Sequence, residues 1–353
     1  MVRTFLQAGA LLVDDPLFDR HLPLAYHPER PERLTAARAA IQAADVNWTR
    51  IEPADASLEA LERVHSARFV AQLESLRGKT EMVDADTFVG PQSIAAAMRA
   101  AGGAAAMVDA MIDGPTPVGV AVLRPPGHHA RRDGAMGFCL INNVAVAAAQ
   151  ARARGLSRVA IIDFDVHHGN GTEEIFWSDP SVLYISTHQW PFYPGSGAAS
   201  DSGLGDGKGY TINIPLSAGG GDAVYRAAFE RIIAPVLEQF APDLVLVSAG
   251  FDAAARDPLA EMRLTPQAFG FMSRMLAAQA ARSAKGRIGI VLEGGYDLTS
   301  VEQGLAETIR GTLAQAAYEL PIRGSIPPGF AVPPSEVDLV RAEKVASRTW
   351  KLA

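Results

Sequence analysis

Short, continuously apolar runs alternate along this chain with longer Ala-rich stretches, and this alternation limits the fold more than any other feature of the sequence. Six runs have the length of buried strands: 118–123, 158–165, 182–187, 210–216, 244–249 and 288–293. Strands that are apolar at every position are typical of a parallel sheet covered on both faces. Helical patterns lie between them, at about 92–113, 142–154, 221–239, 266–284 and 299–318. The order predicts an α/β fold with right-handed crossovers and helices on both faces of the sheet.

Polar residues of catalytic types stand at or beyond the carboxyl ends of five apolar runs. In chain order they are RPPGHH, VHHGNG, His188, Phe251-Asp252 and Glu293-Gly294-Gly295-Tyr296. In open α/β sheets, ligands bind in the crevice outside the carboxyl ends of the strands. We therefore expect five loops to deliver His, Asp and Tyr side chains to a single edge of the sheet.

A metal site is predicted at the end of the run 158–165. Strand side chains alternate, so Asp165 and His167 share one face with Asp163 if the extended backbone persists. An Asp–His pair suits zinc or a similar divalent ion, and Asp252 is the natural third ligand, which leaves room for water and substrate. The alternative is that these acids only cap the helices that follow.

A second group of residues indicates proton transfer beside the metal. His128 and His129 follow the stiff turn Pro125-Pro126-Gly127, and beside a metal site they are expected to act as a general acid/base pair. The glycines before Tyr296 permit an unusual turn, so its phenol could donate a proton to a developing oxyanion. Two surface histidines and a core tyrosine are the alternatives.

Composition excludes several other classes of function. The net charge is −7, from 32 basic and 39 acidic residues, and the absence of a Lys/Arg run argues against a nucleic-acid partner. No window approaches a membrane span, so no membrane is expected and cytoplasmic localisation is the default expectation. The single cysteine, Cys139, excludes an intrachain disulfide and a CxxC zinc framework, and we interpret it as an inert buried thiol.

The two ends of the chain indicate one domain with an extension. The N-terminal apolar stretch is cut short by Asp14 and Asp15, which favours a first strand over a signal peptide, and a helix is expected after Pro31. The Pro/Gly-rich segment 321–336 is expected to tether a short terminal helix. We predict a catalytic domain at 1–320 and an extension at 321–353 that packs on it.

The assembled motifs resemble one family. RPPGHHA, GFCLINN, DFDVHHGNGT, SAGFDA and LEGGYDL, preceded by HPERPERL and HSARFVAQL, resemble the zinc-dependent histone deacetylase superfamily. This superfamily includes the class II-like bacterial histone deacetylase-like amidohydrolases and the acetylpolyamine amidohydrolases. The similarity covers about residues 10–318. It implies an arginase-like three-layer α/β/α domain around an eight-stranded parallel sheet.

The resemblance also implies roles for individual residues. One Zn²⁺ per subunit would be bound by Asp165, His167 and Asp252. His129 would be the general base, with His128 as its electrostatic partner and Asp163 hydrogen-bonded behind it, and Tyr296 would stabilise the oxyanion. Asn170 stands where some branches have a second buried Asp. The motif DVHHGNG, which contains Asn170, resembles that of the class II branch.

Further residues follow from the same resemblance. Phe138 and Tyr193 would form the walls of an acyl-lysine channel, Asp86 would grip the substrate backbone at its rim, and Arg33 would line an internal exit path for acetate. The remaining expected members are Pro126, Gly137, Leu259 and Gly294 for substrate binding, Cys139 for the exit path, and Asp163, Asp165, His167, Ser186, Phe176 and Tyr210 for structural K⁺.

The sequence thus predicts a zinc amidohydrolase that removes acetyl or related acyl groups from the ε-amino group of acyl-lysine in a protein or peptide. Deacetylation of a small amine such as an acetylpolyamine, or of an ester, is the alternative within the class. Polyamine-selective relatives place an acid where this chain has Leu259, which argues against that alternative. A non-catalytic acyl-lysine binding protein and a di-manganese hydrolase are alternatives of other classes. Relatives are often dimers or tetramers, so a homo-oligomer is also expected.

Overall fold

A parallel sheet of eight strands forms the centre of the molecule. The structure, a computed structural model, describes residues 9–314 and 336–352. Its strands are β1 (Gly9–Val13), β2 (Asn47–Ile51), β3 (Glu81–Met82), β4 (Phe88–Val89), β5 (Val118–Ala121), β6 (Val159–Asp163), β7 (Val182–Gln189), β8 (Thr211–Leu216), β9 (Leu244–Ala249) and β10 (Ile288–Leu292). The sheet order is β2-β1-β5-β10-β9-β6-β7-β8, and β3 and β4 form a separate antiparallel pair. The predicted α/β fold with an eight-stranded parallel sheet is confirmed.

Helices cover the two faces of this sheet. They are α1 (Glu32–Ala43), α2 (Leu58–Glu62), α3 (Ala67–Ser75), α4 (Ser93–Asp113), α5 (Asn143–Ala153), α6 (Asn170–Phe176), α7 (Asp222–Ala228), α8 (Ala234–Phe240), α9 (Pro266–Ser283), α10 (Leu298–Leu313) and α11 (Glu336–Ala346). α4 and α5 pack together, while α1, α9 and α10 form a second packed group. The arrangement is a three-layer α/β/α domain, as predicted.

Helix boundaries follow local chemistry. Asn142 and Asp297 stand just before α5 and α10, and their side chains accept hydrogen bonds from Ala145 N (3.0 Å) and Ser300 N (2.8 Å), which satisfies N–H groups that the helix itself leaves free. The predicted helix 221–239 is interrupted by a π-helical segment at Phe229–Ile233. Pro235, which lacks an N–H donor, lies two residues after the end of this segment and accounts for the change in hydrogen bonding.

Helix α4 corrects one expectation. By length and composition it is the one helix among residues 9–314 and 336–352 that could cross a membrane, so the statement that no window approaches a span was too strong. In the structure 72% of its most apolar window is buried. Gly103 of α4 packs against Val13 and Pro53. The helix is therefore placed as a core element of the domain.

The C-terminal residues lie against the edge strand β8. Asp338 of α11 accepts a hydrogen bond from Ser217 N (2.9 Å), and Glu343 pairs with Arg231 (2.6 Å). Beyond the helix, Trp350 Nε1 donates to Gly209 O (2.8 Å). The boundary predicted at 320/321 and the segment 321–335 lie outside the described residues, so the predicted domain limits remain a prediction.

Candidate active site

The carboxyl ends of four adjacent strands build the site, and not five as expected, because His188 lies inside β7 and contacts Ser186 Oγ (2.9 Å) and Gly197 O (2.9 Å). β5, β10, β9 and β6 are neighbours in the sheet. Their residues are buried throughout and are apolar except for Ser248 in β9 and Asp163 at the end of β6, which fixes where each strand leaves the sheet. The loops after them carry the histidine pair, Tyr296, Asp252 and the Asp165–His167 pair. The hydrogen-bonded ladder of β6 ends at Asp163, two residues earlier than the predicted run.

Asp165, His167 and Asp252 form a buried cluster whose ligand atoms all lie within 4.8 Å of one another. His167 Nδ1 is 3.2 Å from Asp165 Oδ1 and 3.2 Å from Asp252 Oδ2. Asp252 Oδ2 is buried and forms no regular hydrogen bond within the described residues. A buried carboxylate oxygen without a donor is costly unless a cation neutralises it. Two carboxylates and one imidazole fit a divalent ion such as zinc, with a coordination position left for water.

Two glycines allow this close approach. A Cβ at Gly250 would lie 2.0 Å from Asp165 Oδ2, and a Cβ at Gly294 would lie 2.3 Å from Asp252 Oδ2. Gly294 N also donates to Asp165 Oδ2 (2.8 Å). Any side chain at either position would push the carboxylates apart, so these glycines are required by the packing of the acids.

The charges in this cluster compensate one another. Burial alone would lower the pKa of His167, but its contacts with Asp165 and Asp252 raise it to about 10. Burial raises the pKa of Asp252, and the nearby charge of Asp165 adds to that rise. The two acids therefore favour positive charge between them. A divalent ion provides that charge and displaces the His167 proton.

The two histidines after β5 differ in their partners. His128 Nδ1 lies 3.1 Å from Asp163 Oδ2, so Asp163 lies behind His128. His129 Nδ1 lies 2.8 Å from Asn170 Oδ1, an oxygen that only accepts, so Nδ1 of His129 carries the proton and Nε2 is free to accept one. The amide nitrogen of Asn170 faces Met136 Sδ at 3.4 Å, while its oxygen faces His129.

The same environment separates their protonation states. Burial would lower the pKa of His128, but the charges of Asp165 and Asp163 raise it to about 10. The pKa of His129 is held well below its usual value by burial and by the positive charge of His128. A charged imidazole thus lies beside a neutral one, with ring centroids 4.0 Å apart. Neighbouring titratable groups with separated pKa values are the arrangement that assigns acid and base roles.

Tyr296 closes the site from the β10 loop. Its side chain is buried, and its ring meets the Phe138 ring edge-on at a centroid distance of 5.7 Å. Burial and the charge of Asp252 raise the pKa of its phenol well above the ordinary value. The hydroxyl therefore keeps its proton at neutral pH and can donate a hydrogen bond to developing negative charge.

Aromatic rings surround the approach to these residues. Tyr193 meets the rings of His129 and His167 edge-on at 5.3 and 6.0 Å, and its side chain is 38% exposed. Phe138 packs against Tyr296. Gly137, directly before it, lies so close to His129 that a Cβ at this position would be 2.5 Å from His129 Cδ2. Phe192, which the sequence analysis did not single out, stacks on His167 at 5.4 Å.

Comparison with known proteins identifies the family of this chain. The profile of the Histone deacetylase domain matches residues 27–312, which is most of the chain. The chain belongs to the histone deacetylase family. This match confirms the family resemblance, and the chain is an amide-hydrolysing enzyme of the deacetylase class, as predicted.

Several named relatives are similar over most of this histone deacetylase family member. Histone deacetylase 15 of Arabidopsis thaliana is 42% identical over 305 residues, covering 84% of this chain and 54% of the relative. A Probable deacetylase of Archaeoglobus fulgidus is 39% identical over 302 residues, covering 84% and 83%. Polyamine deacetylase HDAC10 of Homo sapiens is 39% identical over 344 residues, covering 92% and 49%. The chain thus spans about half the length of the plant and human relatives.

A solved structure agrees with the fold. The crystal structure of the HDA15 HD domain matches with a TM-score of 0.88 at 35% sequence identity, covering 97% of this chain and 95% of that one. The fold of this family member is therefore the deacetylase fold over nearly its whole length. The roles of individual residues remain predictions.

A histidine that sequence reasoning missed lies beside Phe138 and Asp86. His27 begins the HPERPERL motif, and its ring lies 4.7 Å from that of Phe138 and 4.9 Å from that of Phe88. His27 Nε2 lies 3.2 Å from the backbone oxygen of Asp86, whose side chain is half-buried. Burial and the neighbouring Asp84 raise the pKa of Asp86.

The remaining predicted substrate residues are on the loops after β5, β9 and β10. Leu259 is half-buried, and its N–H donates to Asp257 Oδ1 (3.0 Å). Pro126 lies in the turn before the histidines, where Glu293 Oε2 accepts from Gly127 N (2.7 Å) and His128 N (3.1 Å). Glu293 belongs to the motif Glu293-Gly294-Gly295-Tyr296, but its sequence context predicted no role for it.

Arg33 and Cys139, predicted for the acetate path of this deacetylase, are both fully buried. Arg33 Nε donates to Gly295 O (2.5 Å), and the guanidinium carbon lies 5.1 Å from the Tyr296 ring centroid. Its other end pairs with the buried Glu29 at 3.1 Å. Burial raises the pKa of the Cys139 thiol well above its ordinary value, so the thiol is a poor nucleophile.

The residues predicted for potassium lie in two places. Ser186 is the register partner of Asp163 across β6 and β7, and Asp165 and His167 follow Asp163 in the chain. Phe176 and Tyr210 lie apart from them, at the end of α6 and just before β8. His168 contacts Ser196 Oγ (2.8 Å) and Glu173 Oε2 (3.2 Å) and is not part of the Asp165–His167–Asp252 cluster.

Proposed function

We propose that this histone deacetylase family member is a zinc-dependent amidohydrolase that removes acetyl or related acyl groups from the ε-amino group of acyl-lysine. One observation carries the proposal. The buried cluster of Asp165, His167 and Asp252, in which Asp252 Oδ2 forms no regular hydrogen bond, adjoins the neutral His129 and the protonated Tyr296. Ligands, base and oxyanion donor are the parts that metal-assisted amide hydrolysis requires.

Asp165, His167 and Asp252 would hold the zinc ion. When bound there, zinc supplies Lewis acidity to the substrate carbonyl and lowers the pKa of the attacking water. His129 takes the proton of that water at Nε2, because its Nδ1–H is engaged by Asn170. The charged His128, held by Asp163 at 3.1 Å, stabilises the negative charge that develops nearby. Tyr296 donates its phenolic hydrogen bond to the carbonyl oxygen as it becomes an oxyanion.

The second half of the reaction uses the same residues. The C–N bond breaks when the leaving amine receives a proton, and the imidazolium of His129 donates the proton that it took from water. Asn170 supplies no negative charge behind His129, so the imidazolium is less strongly held and is the better acid. Water therefore adds across the amide bond, giving a carboxylic acid and a free amine.

The channel favours a long apolar stem. Phe138, whose ring meets Tyr296, and Tyr193, whose ring meets His167, would form the walls of the channel, and Phe192 stacks on His167. Burying lysine methylenes between aromatic rings contributes about 0.8 kcal/mol per CH₂. We propose that this contact selects acyl-lysine, with Asp86 gripping the substrate backbone at the rim.

A small acetylated amine is the second candidate substrate. Its support is the similarity to the human polyamine deacetylase, which covers 92% of this chain. Leu259 occupies the mouth position where polyamine-selective relatives carry an acid, and an apolar side chain there gives no charge for a cationic amine. We therefore rank acyl-lysine first.

Potassium binding is proposed as a structural feature of this enzyme. Asp163 and Ser186 on neighbouring strands would contribute to one site near the metal cluster, together with Asp165 and His167. Phe176 and Tyr210 would belong to a second site. Oxygen-rich sites of this kind suit hard cations.

Side-by-side kinetics on matched substrates test the proposal. The zinc-loaded protein is expected to give a kcat/KM for an acetyl-lysine peptide at least about tenfold above that for acetylputrescine, a difference of about 1.4 kcal/mol in transition-state binding. Leu259→Glu is the matched variant, and it should shift the ratio towards acetylputrescine. A wild type that prefers acetylputrescine would contradict the ranking of substrates.

A further inference from the structure

The carboxyl group of Asp257 is a buried acceptor that serves two loops. Its Oδ2 accepts hydrogen bonds from Tyr296 N (2.6 Å) and Asp297 N (3.0 Å), and its Oδ1 accepts from Leu259 N (3.0 Å). The side chain of Asp257 belongs to the loop after β9, whereas Tyr296 and Asp297 follow β10. One carboxylate therefore ties the backbone of the oxyanion tyrosine to the segment that carries Leu259.

The backbone of the β10 loop at Tyr296 needs hydrogen bonds from other segments to hold its conformation. Gly295, directly before it, has φ +113, a conformation that only glycine adopts readily. The conformational freedom of glycine lies just before the residue whose hydroxyl must be placed most accurately. Hydrogen bonds from Arg33 Nε to Gly295 O (2.5 Å) and from Tyr296 N to Asp257 hold the loop from opposite sides.

We propose that Asp257 is a positioning residue, which acts on the reaction by fixing the backbone of Tyr296 and hence the place of its phenolic hydroxyl. This inference rests on the proposed function, in which Tyr296 donates to the oxyanion. Asp257 is not assigned any contact with substrate. A misplacement of about 1 Å at a catalytic group can cost on the order of a hundredfold in rate, so the tie can matter without touching the reacting atoms.

Asparagine is the informative substitution. Its amide has one acceptor oxygen, so its NH₂ would face either the Leu259 N–H or the pair of N–H groups on Tyr296 and Asp297. Asp257→Asn thus keeps the size of the side chain and breaks the tie. Asp257→Glu keeps the charge but moves the acceptors by one methylene, and it serves as the second variant if Asp257→Asn does not fold.

A double-mutant cycle with Tyr296→Phe separates positioning from general support of the fold. The zinc-loaded protein is assayed at pH 8 on an acetyl-lysine peptide as wild type, Asp257→Asn, Tyr296→Phe and the double variant, with zinc content and melting temperature measured for each. Asp206→Asn is the matched control, because it makes the same substitution at an exposed side chain away from the β9 and β10 loops. It should leave kcat within about twofold.

Asp257→Asn is expected to lower kcat about tenfold to a hundredfold, with KM changed less than about threefold. In the Tyr296→Phe background, where no hydroxyl remains to be positioned, the further loss should be below about twofold. An equal loss in both backgrounds, or an unchanged kcat in Asp257→Asn, would overturn the role of Asp257. An inactive wild type would instead overturn the proposed function on which that role rests.

Discussion

His128 and His129 are neighbours in sequence but not in chemical state. His128 is held by Asp163 and surrounded by carboxylates, which raise its pKa to about 10. His129 is held by the neutral Asn170, and burial together with the charge of His128 keeps its pKa well below the ordinary value. The base role of His129 thus follows from its surroundings and not from the doublet itself.

Removing this base should affect chemistry much more than binding. His129→Ala is expected to lower kcat by about 10²–10⁴, the usual contribution of a positioned general base, with zinc content unchanged. Steady-state kinetics and metal analysis check this. Arg131→Ala, an exposed substitution two residues further on, should stay within about twofold of wild type. Wild-type kcat in His129→Ala would contradict the assignment.

The site residues that could be predicted from the sequence are those that belong to a local sequence pattern. Alternation at a strand end placed Asp165 and His167 on one face, and the structure brings both together with Asp252. Glu293, Asp257 and Phe192 were given no role, because each acts on a residue far away in the chain. A carboxylate that accepts backbone N–H groups from another loop leaves no local pattern to find.

At the level of elements, Glu293 joins two catalytic loops. It follows β10, yet its carboxylate accepts the N–H groups of Gly127 and His128 after β5 (2.7 and 3.1 Å). Burial, with the nearby charge of Asp163 adding to it, raises the pKa of Glu293 to about 7, although His128 opposes the rise. The geometry of the histidine turn thus depends on a titratable group.

This predicts a pH dependence of stability with a definite sign. The folded state keeps a proton on Glu293 that the unfolded chain, with a pKa near 4.5, releases. The stability from this group is therefore fully present below about pH 4.5 and is lost as pH rises through about 7. Glu293→Gln cannot titrate, so its free energy of unfolding should improve relative to wild type between pH 5 and pH 8. Urea unfolding of metal-free protein at several pH values checks this, and a pH-independent difference would contradict it.

The regular elements were predictable where burial is complete. All six apolar runs are strands of the sheet, because both of its faces are covered. β2 was missed: its sequence NWTRI is half-buried or exposed at the sheet edge, so it lacks the continuous apolar pattern. The π-helical segment before Pro235 was also missed, since it reflects the loss of one N–H donor inside an otherwise helical pattern.

In the molecule as a whole, the C-terminal segment covers β8, the strand at one edge of the sheet. Trp350 is 8% exposed, donates to Gly209 O (2.8 Å), and meets the rings of Tyr210 and Phe240 edge-on. Unprotected edge strands favour association with other chains, and a helix laid over them prevents it. The last residues thus contribute to the stability of the catalytic domain.

Trp350→Ala should therefore destabilise the whole domain. Truncating a buried aromatic side chain costs about 3–5 kcal/mol, and urea unfolding of the zinc-loaded protein measures it. Val340→Ala on α11, where the side chain is 51% exposed, should change the free energy of unfolding by less than about 0.5 kcal/mol. A loss below about 1 kcal/mol for Trp350→Ala would show that the segment is only loosely attached.

Zinc-dependent turnover of acetyl-lysine tests the central claim most directly. Metal content and initial rates are measured on the same sample before chelation, after chelation, and after zinc is restored, with Asp252→Ala as the matched variant. We predict about one zinc per chain in the active protein, loss of turnover on chelation, recovery with zinc, and neither tight zinc binding nor turnover in Asp252→Ala. Full turnover by the zinc-free protein, or none by the zinc-loaded wild type, would contradict the account.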